Sequence, residues 1–169
     1  MVSEPHIALV PDVRAELEQR RRNSELGDVY DVLDSVRDPE VPVLSIWDLG
    51  VLQEVKREAG RLVITITPTY SGCPAMGQIE SDIVAALSAA GYEDAVVETR
   101  LSPAWSSDWL SVDARRRLRA YGVAPPDDVS CPQCGSTQVA VISEFGSTAC
   151  KALYRCRSCG EPFDHFKRI

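Results

Sequence analysis

The sequence lacks any long hydrophobic run. No stretch approaches the roughly 20 consecutive apolar residues that a membrane-spanning helix needs, and the first residues contain no apolar segment after basic ones. These absences exclude a transmembrane protein, and we expect the chain to be cytoplasmic. Hydrophobic residues make up 44% of the 169 residues, which predicts a chain that folds around a buried core.

Histidine and positive charge are also scarce. The chain has 18 basic and 25 acidic residues, giving a formal net charge of -7, so a broad surface for nucleic acid is disfavoured. The two histidines, His6 and His165, form no Cys-His pair in the sequence, and no Glu-x-x-His helix motif for a di-iron site is present. We therefore expect no catalytic constellation of these kinds in the chain.

Cysteine is the metal-binding residue that the chain has in quantity, with six in total. Four of them form two Cys-x-x-Cys pairs: Cys131 and Cys134, then Cys156 and Cys159. The 21 residues between the pairs are close to the spacing of a four-thiolate zinc site. A glycine after each pair lets the backbone amides turn toward the sulfurs. The spacing predicts structural zinc, and a rubredoxin-like iron site with the same ligands is the alternative.

The residues around these pairs predict an all-β zinc ribbon over 128–169. Three strands are expected within it: 138–145, 151–154 and 163–166. A module of roughly 40 residues buries too little apolar surface to fold alone, so the metal should supply its stability. Cys150 lies outside both pairs and is interpreted as a packed thiol, with a reactive thiol as the alternative. His165 is interpreted as a strand or tail residue and not as a ligand.

A single cysteine, Cys73, stands where a strand turns into a helix. The β-branched run 62–66 predicts the strand. Apolar residues spaced three and four apart predict the helix: Met76, Ile79, Ile83, Leu87 and Ala90. Pro74 is expected to begin this helix with Cys73 as its N-cap. Free amides and the helix dipole would then favour a thiolate and give Cys73 a pKa below the roughly 8.5 of free cysteine. Nearby carboxylates would work the other way, since they raise the pKa of a thiol unless a cation lies between them. An inert buried thiol is the alternative.

Two carboxylates precede this segment. Prolines at 39 and 42 keep the stretch 38–43 extended, so Asp38 and Glu40 point the same way. Such a pair can ligate a metal, position a base or remain solvated. From the residues alone, solvated carboxylates are favoured because surface acids are common.

The remaining patterns predict an α+β fold. Residues 1–23 are expected to form a flexible arm. The domain 24–124 has the order helix, strand, strand, helix, strand, with a hairpin turn at 58–60 and a third strand over 95–101. Pairing the second and third strands in parallel through a helix gives a small mixed sheet with helices on one face. An arginine-rich helix follows, and the boundary with the ribbon is placed at 125–128.

Several of these motifs together resemble a known family. Four segments carry the likeness: DPEVP at 38–42, DLGV at 48–51, TPTYSGCP at 67–74 and PAW at 103–105. They look like the small SufT-like domain family associated with iron-sulfur cluster assembly, over about residues 26–110. With the ribbon segment 149–164 added, the whole chain resembles the PaaD (PaaJ) family of phenylacetate-degradation proteins, encoded with the phenylacetyl-CoA ring epoxidase.

The resemblance implies a site and a role. By matching position, Asp38, Glu40, Thr69 and Cys73 correspond to the clustered polar site of the family, where they would contact iron or a cluster. One thiol and two carboxylates cannot hold a stable cluster, which normally needs four thiolates. Binding would therefore be transient or shared across a homodimer. The implied function is maturation of the epoxidase system, with iron or an iron-sulfur cluster passed to its protein subunits such as the iron-sulfur reductase.

Two other functions remain open at this point. One is a nucleic-acid-binding zinc ribbon, against which the acidity of the chain counts. The other is a purely structural subunit of the oxygenase complex. The leading expectation is an assembly factor that uses Cys73 as acceptor and the ribbon to dock protein partners, with neither nucleic acid nor membrane as a partner.

Overall fold

The structure is a computed structural model that describes residues 12–169. The first eleven residues of the expected arm, and His6 with them, lie outside the described residues. The helices are α1 (Val13–Asn23), α2 (Gly27–Leu33), α3 (Met76–Ala89) and α4 (Val112–Tyr121), with a 3-10 turn at Ser107–Trp109. The strands are β1 (Leu52–Glu58), β2 (Arg61–Ile66), β3 (Ala95–Thr99), β4 (Val123–Ala124), β5 (Val139–Ser143), β6 (Lys151–Cys156) and β7 (Pro162–Phe166). The predicted α+β class is confirmed.

The first sheet has the order β1-β2-β3 and the predicted topology. β1 and β2 pair antiparallel through a turn in which Ala59 and Gly60 both have positive φ. β2 and β3 pair in parallel, because α3 carries the chain back across the sheet. The apolar face of α3 buries Ile79, Ile83 and Leu87 against this sheet and α2, as the spacing predicted.

The loop between α2 and β1 forms much of the core without being a helix or strand. Its apolar side chains are buried: Val41, Leu44, Ile46, Trp47, Leu49 and Val51. Gly50 has a φ of 69°, and a Cβ added there would lie 2.7 Å from the Cβ of Trp109. The indole of Trp105 donates to the carbonyl of Leu49 at 2.9 Å. Both tryptophans are buried and hold this loop in place.

The flexible arm expected for residues 1–23 is wrong over α1. Leu17 is only 2% exposed and belongs to the main core. Arg14 donates to the carbonyl of Trp47 at 2.7 Å, and the guanidinium groups of Arg14 and Arg21 lie 4.4 and 4.7 Å from the Trp47 ring centre. A helix with few apolar residues docks here because its arginines stack on an aromatic ring.

The second sheet has the order β4-β7-β6-β5. β5, β6 and β7 correspond to the three predicted strands, whereas β4 was not predicted and precedes the expected boundary at 125–128. We therefore call residues 12–122 the first unit and residues 123–169 the ribbon. No helix among residues 12–169 is long and apolar enough to cross a membrane.

The ribbon packs directly on the first unit. The rings of Phe166 and Trp105 lie 6.1 Å apart, centre to centre, and Phe166 is 1% exposed within the main core. The amide of Ser107 donates to the carbonyl of Ile169 at 3.0 Å. One arginine of α4 contributes to the same contact, since Arg119 pairs with Asp128 of the ribbon.

Candidate functional site

The four cysteines of the two Cys-x-x-Cys pairs lie together at one end of the ribbon. The sulfurs of Cys131 and Cys159 are 3.8 Å apart and those of Cys134 and Cys156 are 3.6 Å apart. All four sulfurs lie within 4.8 Å of one another. A tetrahedral site with zinc-sulfur bonds of about 2.3 Å needs sulfurs about 3.8 Å apart. The group therefore fits one tetrahedral metal ion.

Backbone amides at this centre favour thiolate ligands. The glycines that follow the pairs, Gly135 and Gly160, have φ values of 74° and 82°, so the chain can turn tightly there. The amide of Cys159 donates to the sulfur of Cys156 at 3.5 Å. This amide, together with that of Ser158, lowers the pKa of the Cys156 thiol to about 6. A thiolate is the form that binds metal.

Hydrophobic burial in the ribbon itself is small. Its buried cluster consists of Ala124, Cys131, Cys156 and Phe163, and two of these four are members of the metal-binding group. The stability of this sheet therefore depends on the four-cysteine centre and on contacts with the first unit.

Asp38 and Glu40 lie in the loop after α2. Asp38 is 7% exposed, so the solvated carboxylate favoured from the sequence is wrong for this residue. Its Oδ1 accepts the amides of Glu40 at 2.9 Å and Val41 at 2.8 Å. Burial raises the pKa of the Asp38 carboxyl in spite of these two hydrogen bonds. Glu40 is half-buried, and burial followed by the charge of Asp38 raises its pKa as well.

Cys73 lies before the start of α3 and not at its N-cap. The helix begins at Met76 with Ala75 as its N-cap, and Pro74 belongs to the preceding turn. The thiol is half-buried, and burial raises its pKa. The amide of Ala75 lowers the pKa and Glu40 raises it, with a net upward shift. The prediction that an N-cap position lowers the pKa of Cys73 is therefore wrong, because the effects of burial and nearby carboxylates outweigh that of the Ala75 amide.

Three of the residues assigned to this second site affect the thiol of Cys73. The Thr69 side chain lowers its pKa, while the charges of Glu40 and Asp38 raise it. The potential ligand atoms of Asp38, Glu40 and Cys73 do not all lie within 4.8 Å of one another. Among residues 12–169, the four ribbon cysteines form the group of three or more potential ligands that does.

Two further residues at this site were not assigned to it from the sequence. The pKa of Tyr70 is raised by burial and then by Cys73, Glu40 and Cys150 in turn. Burial raises the pKa of Cys150, and the charges of Glu40 and Asp38 raise it too, although this residue belongs to the ribbon. The TYSG segment contains Tyr70, but nothing in the spacing of Cys150 connects it with residues more than 70 positions away. His165 lies elsewhere, with its ring 5.2 Å from that of Tyr154.

Family models match both parts of the chain. A model described as iron-sulfur cluster assembly protein matches residues 27–99, and one described as PaaD zinc beta ribbon domain matches residues 119–167. Among solved structures, a domain of unknown function (DUF59) from Bacillus anthracis has a TM-score of 0.51 and 32% identity. That match covers 62% of this chain and 95% of the other.

Two curated relatives are matched over most of their own length. A Porphyromonas gingivalis protein named "Fe-S protein maturation auxiliary factor" is 32% identical over 93 residues, covering 54% of this chain and 88% of the relative. An Escherichia coli protein named as a putative subunit of 1,2-phenylacetyl-CoA epoxidase is 46% identical over 155 residues, covering 86% of this chain and 94% of the relative. The chain therefore belongs to the PaaD family, and it carries an iron-sulfur cluster assembly domain followed by a PaaD zinc beta ribbon.

Proposed function

We propose that the protein is a maturation factor for the phenylacetyl-CoA epoxidase system that accepts iron or an iron-sulfur cluster transiently at Cys73. The observation that carries the proposal is a free, half-buried thiol at Cys73, on which the charges of Glu40 and Asp38 act. The match of residues 27–99 to an iron-sulfur cluster assembly model and the name of the Escherichia coli relative support the role and the client system.

The chemistry of this site suits a cargo that is passed on. Two carboxylates beside a half-buried thiol disfavour the thiolate until a cation lies between them. An arriving iron ion reverses that balance and becomes a shared counter-ion. The site at Cys73 has one thiol in the first unit, whereas a resident iron-sulfur cluster normally needs four thiolates. A partner protein, such as the iron-sulfur reductase, can therefore compete for the cargo with its own cysteines.

We propose that the four-cysteine centre holds zinc with a structural role. Four thiolates at tetrahedral spacing leave no open coordination position for catalysis. Elemental analysis of protein purified without added metal should find about one zinc per chain. A folded protein without metal would overturn this assignment, and iron in its place would favour the rubredoxin-like alternative.

The carrier role is tested by co-expression with the epoxidase subunits. We expect Cys73→Ser to leave the fold and the ribbon zinc unchanged, while the partner components accumulate with incomplete iron. Ser71→Ala is a matched control, because Ser71 is an exposed residue of the same turn. Iron content of the purified partners and growth on phenylacetate are the readouts. Normal growth with fully loaded partners would leave Cys73 as a packed thiol.

A docking function of the ribbon is supported by its outer strand. β5 lies at the edge of the second sheet, and Val141, Ile142 and Phe145 on or beside it are 46, 53 and 69% exposed. An exposed apolar edge of this kind suits a protein partner better than a phosphate backbone. Salt-sensitive micromolar DNA binding at physiological ionic strength would instead favour the nucleic-acid function.

A further inference from the structure

An open groove lies between α4 and the loop that joins α2 to β1. The loop and the helix each contribute three of the six residues that line it: Arg37, Pro42, Val43, Arg117, Ala120 and Tyr121. Tyr121 is 53% exposed, and Pro42 and Ala120 are exposed as well. An exposed tyrosine and arginines beside small apolar residues are typical of a surface that binds protein.

The arginines of α4 fall into two sets according to what they contact. Arg115 and Arg119, one helical turn apart, both pair with carboxylates of the ribbon. Arg117 pairs instead with Asp48 of the loop, and Tyr121 follows Arg117 one turn later on the same side of the helix. One side of α4 therefore holds the ribbon, while the other forms a wall of the groove.

Asp48 holds the two groove arginines in place. It is 4% exposed, and its carboxylate accepts the amide of Ser45 at 3.1 Å and the hydroxyl of Ser111 at 3.2 Å. Arg117 pairs with this carboxylate directly, and Nη1 of Arg37 lies 3.9 Å from it. A guanidinium group that is already positioned loses less conformational entropy when a partner binds.

The groove carries positive charge that this carboxylate does not balance. Among residues 12–169, the ion pairs of Arg37 and Arg117 are both made with Asp48, so two cations share one anion. The two arginine side chains are 49 and 48% exposed, which leaves N–H donors free for further acceptors. Since the whole chain has a net charge of -7, the groove is a local exception to its acidity.

We propose that this groove docks an acidic segment of a client protein, a subunit of the epoxidase system, with an apolar side chain of that segment packed against Tyr121. Charge complementarity favours this occupant, because client carboxylates would pair with the two exposed guanidinium groups. A second copy of the chain fits less well. A two-fold interface would bring the same positive groove of both copies together, and like charges repel.

The groove lies beside the loop segment of the candidate cargo site. Two of its residues, Arg37 and Pro42, flank Asp38 and Glu40 in the chain. A client held in the groove is therefore placed near the carboxylates whose charges act on Cys73. This inference rests on the proposed carrier function, and it assigns recognition of the client to residues other than the thiol.

The test measures the dissociation constant of the full-length protein for each purified epoxidase subunit by biolayer interferometry. We expect wild-type protein to bind a subunit, and Tyr121→Ala and Arg37→Ala each to raise the dissociation constant at least about fivefold. Arg116→Ala is the matched control and should equal wild type, because Arg116 is 77% exposed on the same helix and does not line the groove. Tyr121→Phe keeps the ring and should also bind.

The salt dependence of binding provides a second readout. Wild-type binding should weaken as ionic strength rises, and this dependence should be smaller in Arg37→Ala. Unchanged binding in Tyr121→Ala and Arg37→Ala, or no subunit bound by wild-type protein, would overturn the inference. A wild-type dimer that Tyr121→Ala makes monomeric would overturn it too, because the occupant would then be a second copy. Tryptophan fluorescence and zinc content check that each variant is folded.

Cys73→Ser separates this inference from the proposed function. It should bind the subunit with an unchanged dissociation constant and fail to load it with iron. If the groove variants bind normally and Cys73→Ser fails to load the subunit, the docking groove is wrong and the carrier role stands. If the groove variants bind weakly and Cys73→Ser loads the subunit fully, the carrier role is wrong and the docking groove stands.

Discussion

Removal of the ribbon metal should leave the first unit folded but measurably weaker. The perturbation is Cys131→Ser, which replaces a fully buried ligand. Without the metal the ribbon sheet retains little apolar burial of its own and should unfold. The first unit keeps its own sheet, helices and core. It loses the contact between Trp105 and Phe166 and the hydrogen bond from Ser107 to Ile169.

The size of the effect follows from Phe166. Phe166 is 1% exposed, and loss of such a ring from a core lowers the free energy of unfolding by about 3–5 kcal/mol. With a urea m-value of about 2 kcal/mol per molar for a unit of this size, the unfolding midpoint should fall by about 2 M. Phe166→Ala is the matched control, since it removes the same contact while leaving the four thiols in place.

Fluorescence provides a clean assay, because all three tryptophans lie in the first unit: Trp47, Trp105 and Trp109. Urea unfolding followed by tryptophan emission reports on that unit, and zinc release to a chromophoric chelator reports on the ribbon. Loss of any cooperative tryptophan transition in Cys131→Ser would show that the first unit does not fold by itself. An unchanged midpoint would show that the ribbon contact contributes nothing.

Three further results are expected. Leu17→Ala should lower the free energy of unfolding by about 2–5 kcal/mol in urea titrations, because Leu17 is buried. Gln19 is exposed in the same helix, so Gln19→Ala should change the free energy of unfolding by less than about 0.5 kcal/mol. Gly50→Ala should lower the free energy of unfolding by about 3 kcal/mol in the same assay, since it combines a positive φ with a 2.7 Å approach to Trp109. An unchanged free energy of unfolding with wild-type fluorescence would contradict the close packing. In pH profiles of alkylation, the inflection for Cys73 should lie at a higher pH than in the urea-unfolded chain, because burial and then Glu40 raise the pKa of this thiol. Glu40→Gln should move the inflection to lower pH. An inflection at a lower pH than in the unfolded chain would contradict the environment described for this thiol.

Local patterns in the sequence determined the elements whose stability is local. The spacing of apolar residues in α3, the turn at Ala59 and Gly60, and the strand-helix-strand order were enough for the first sheet, because period and turn chemistry are properties of neighbouring residues. The two Cys-x-x-Cys pairs likewise predicted that four sulfurs would gather, since each pair is a short turn that presents both thiols on one side.

The tertiary structure alone decided the features that depend on distant residues. Helix α1 has one buried leucine, and this pattern is too weak to distinguish a docked helix from a flexible arm. The arginines of α1 dock because Trp47 lies opposite them. The direction of the pKa shift at Cys73 depends on burial and on Glu40, which no local spacing encodes. The location of Cys150 beside the first unit follows from how β7 carries Phe166 onto Trp105, since packing between units sets contacts that neither sequence segment specifies alone.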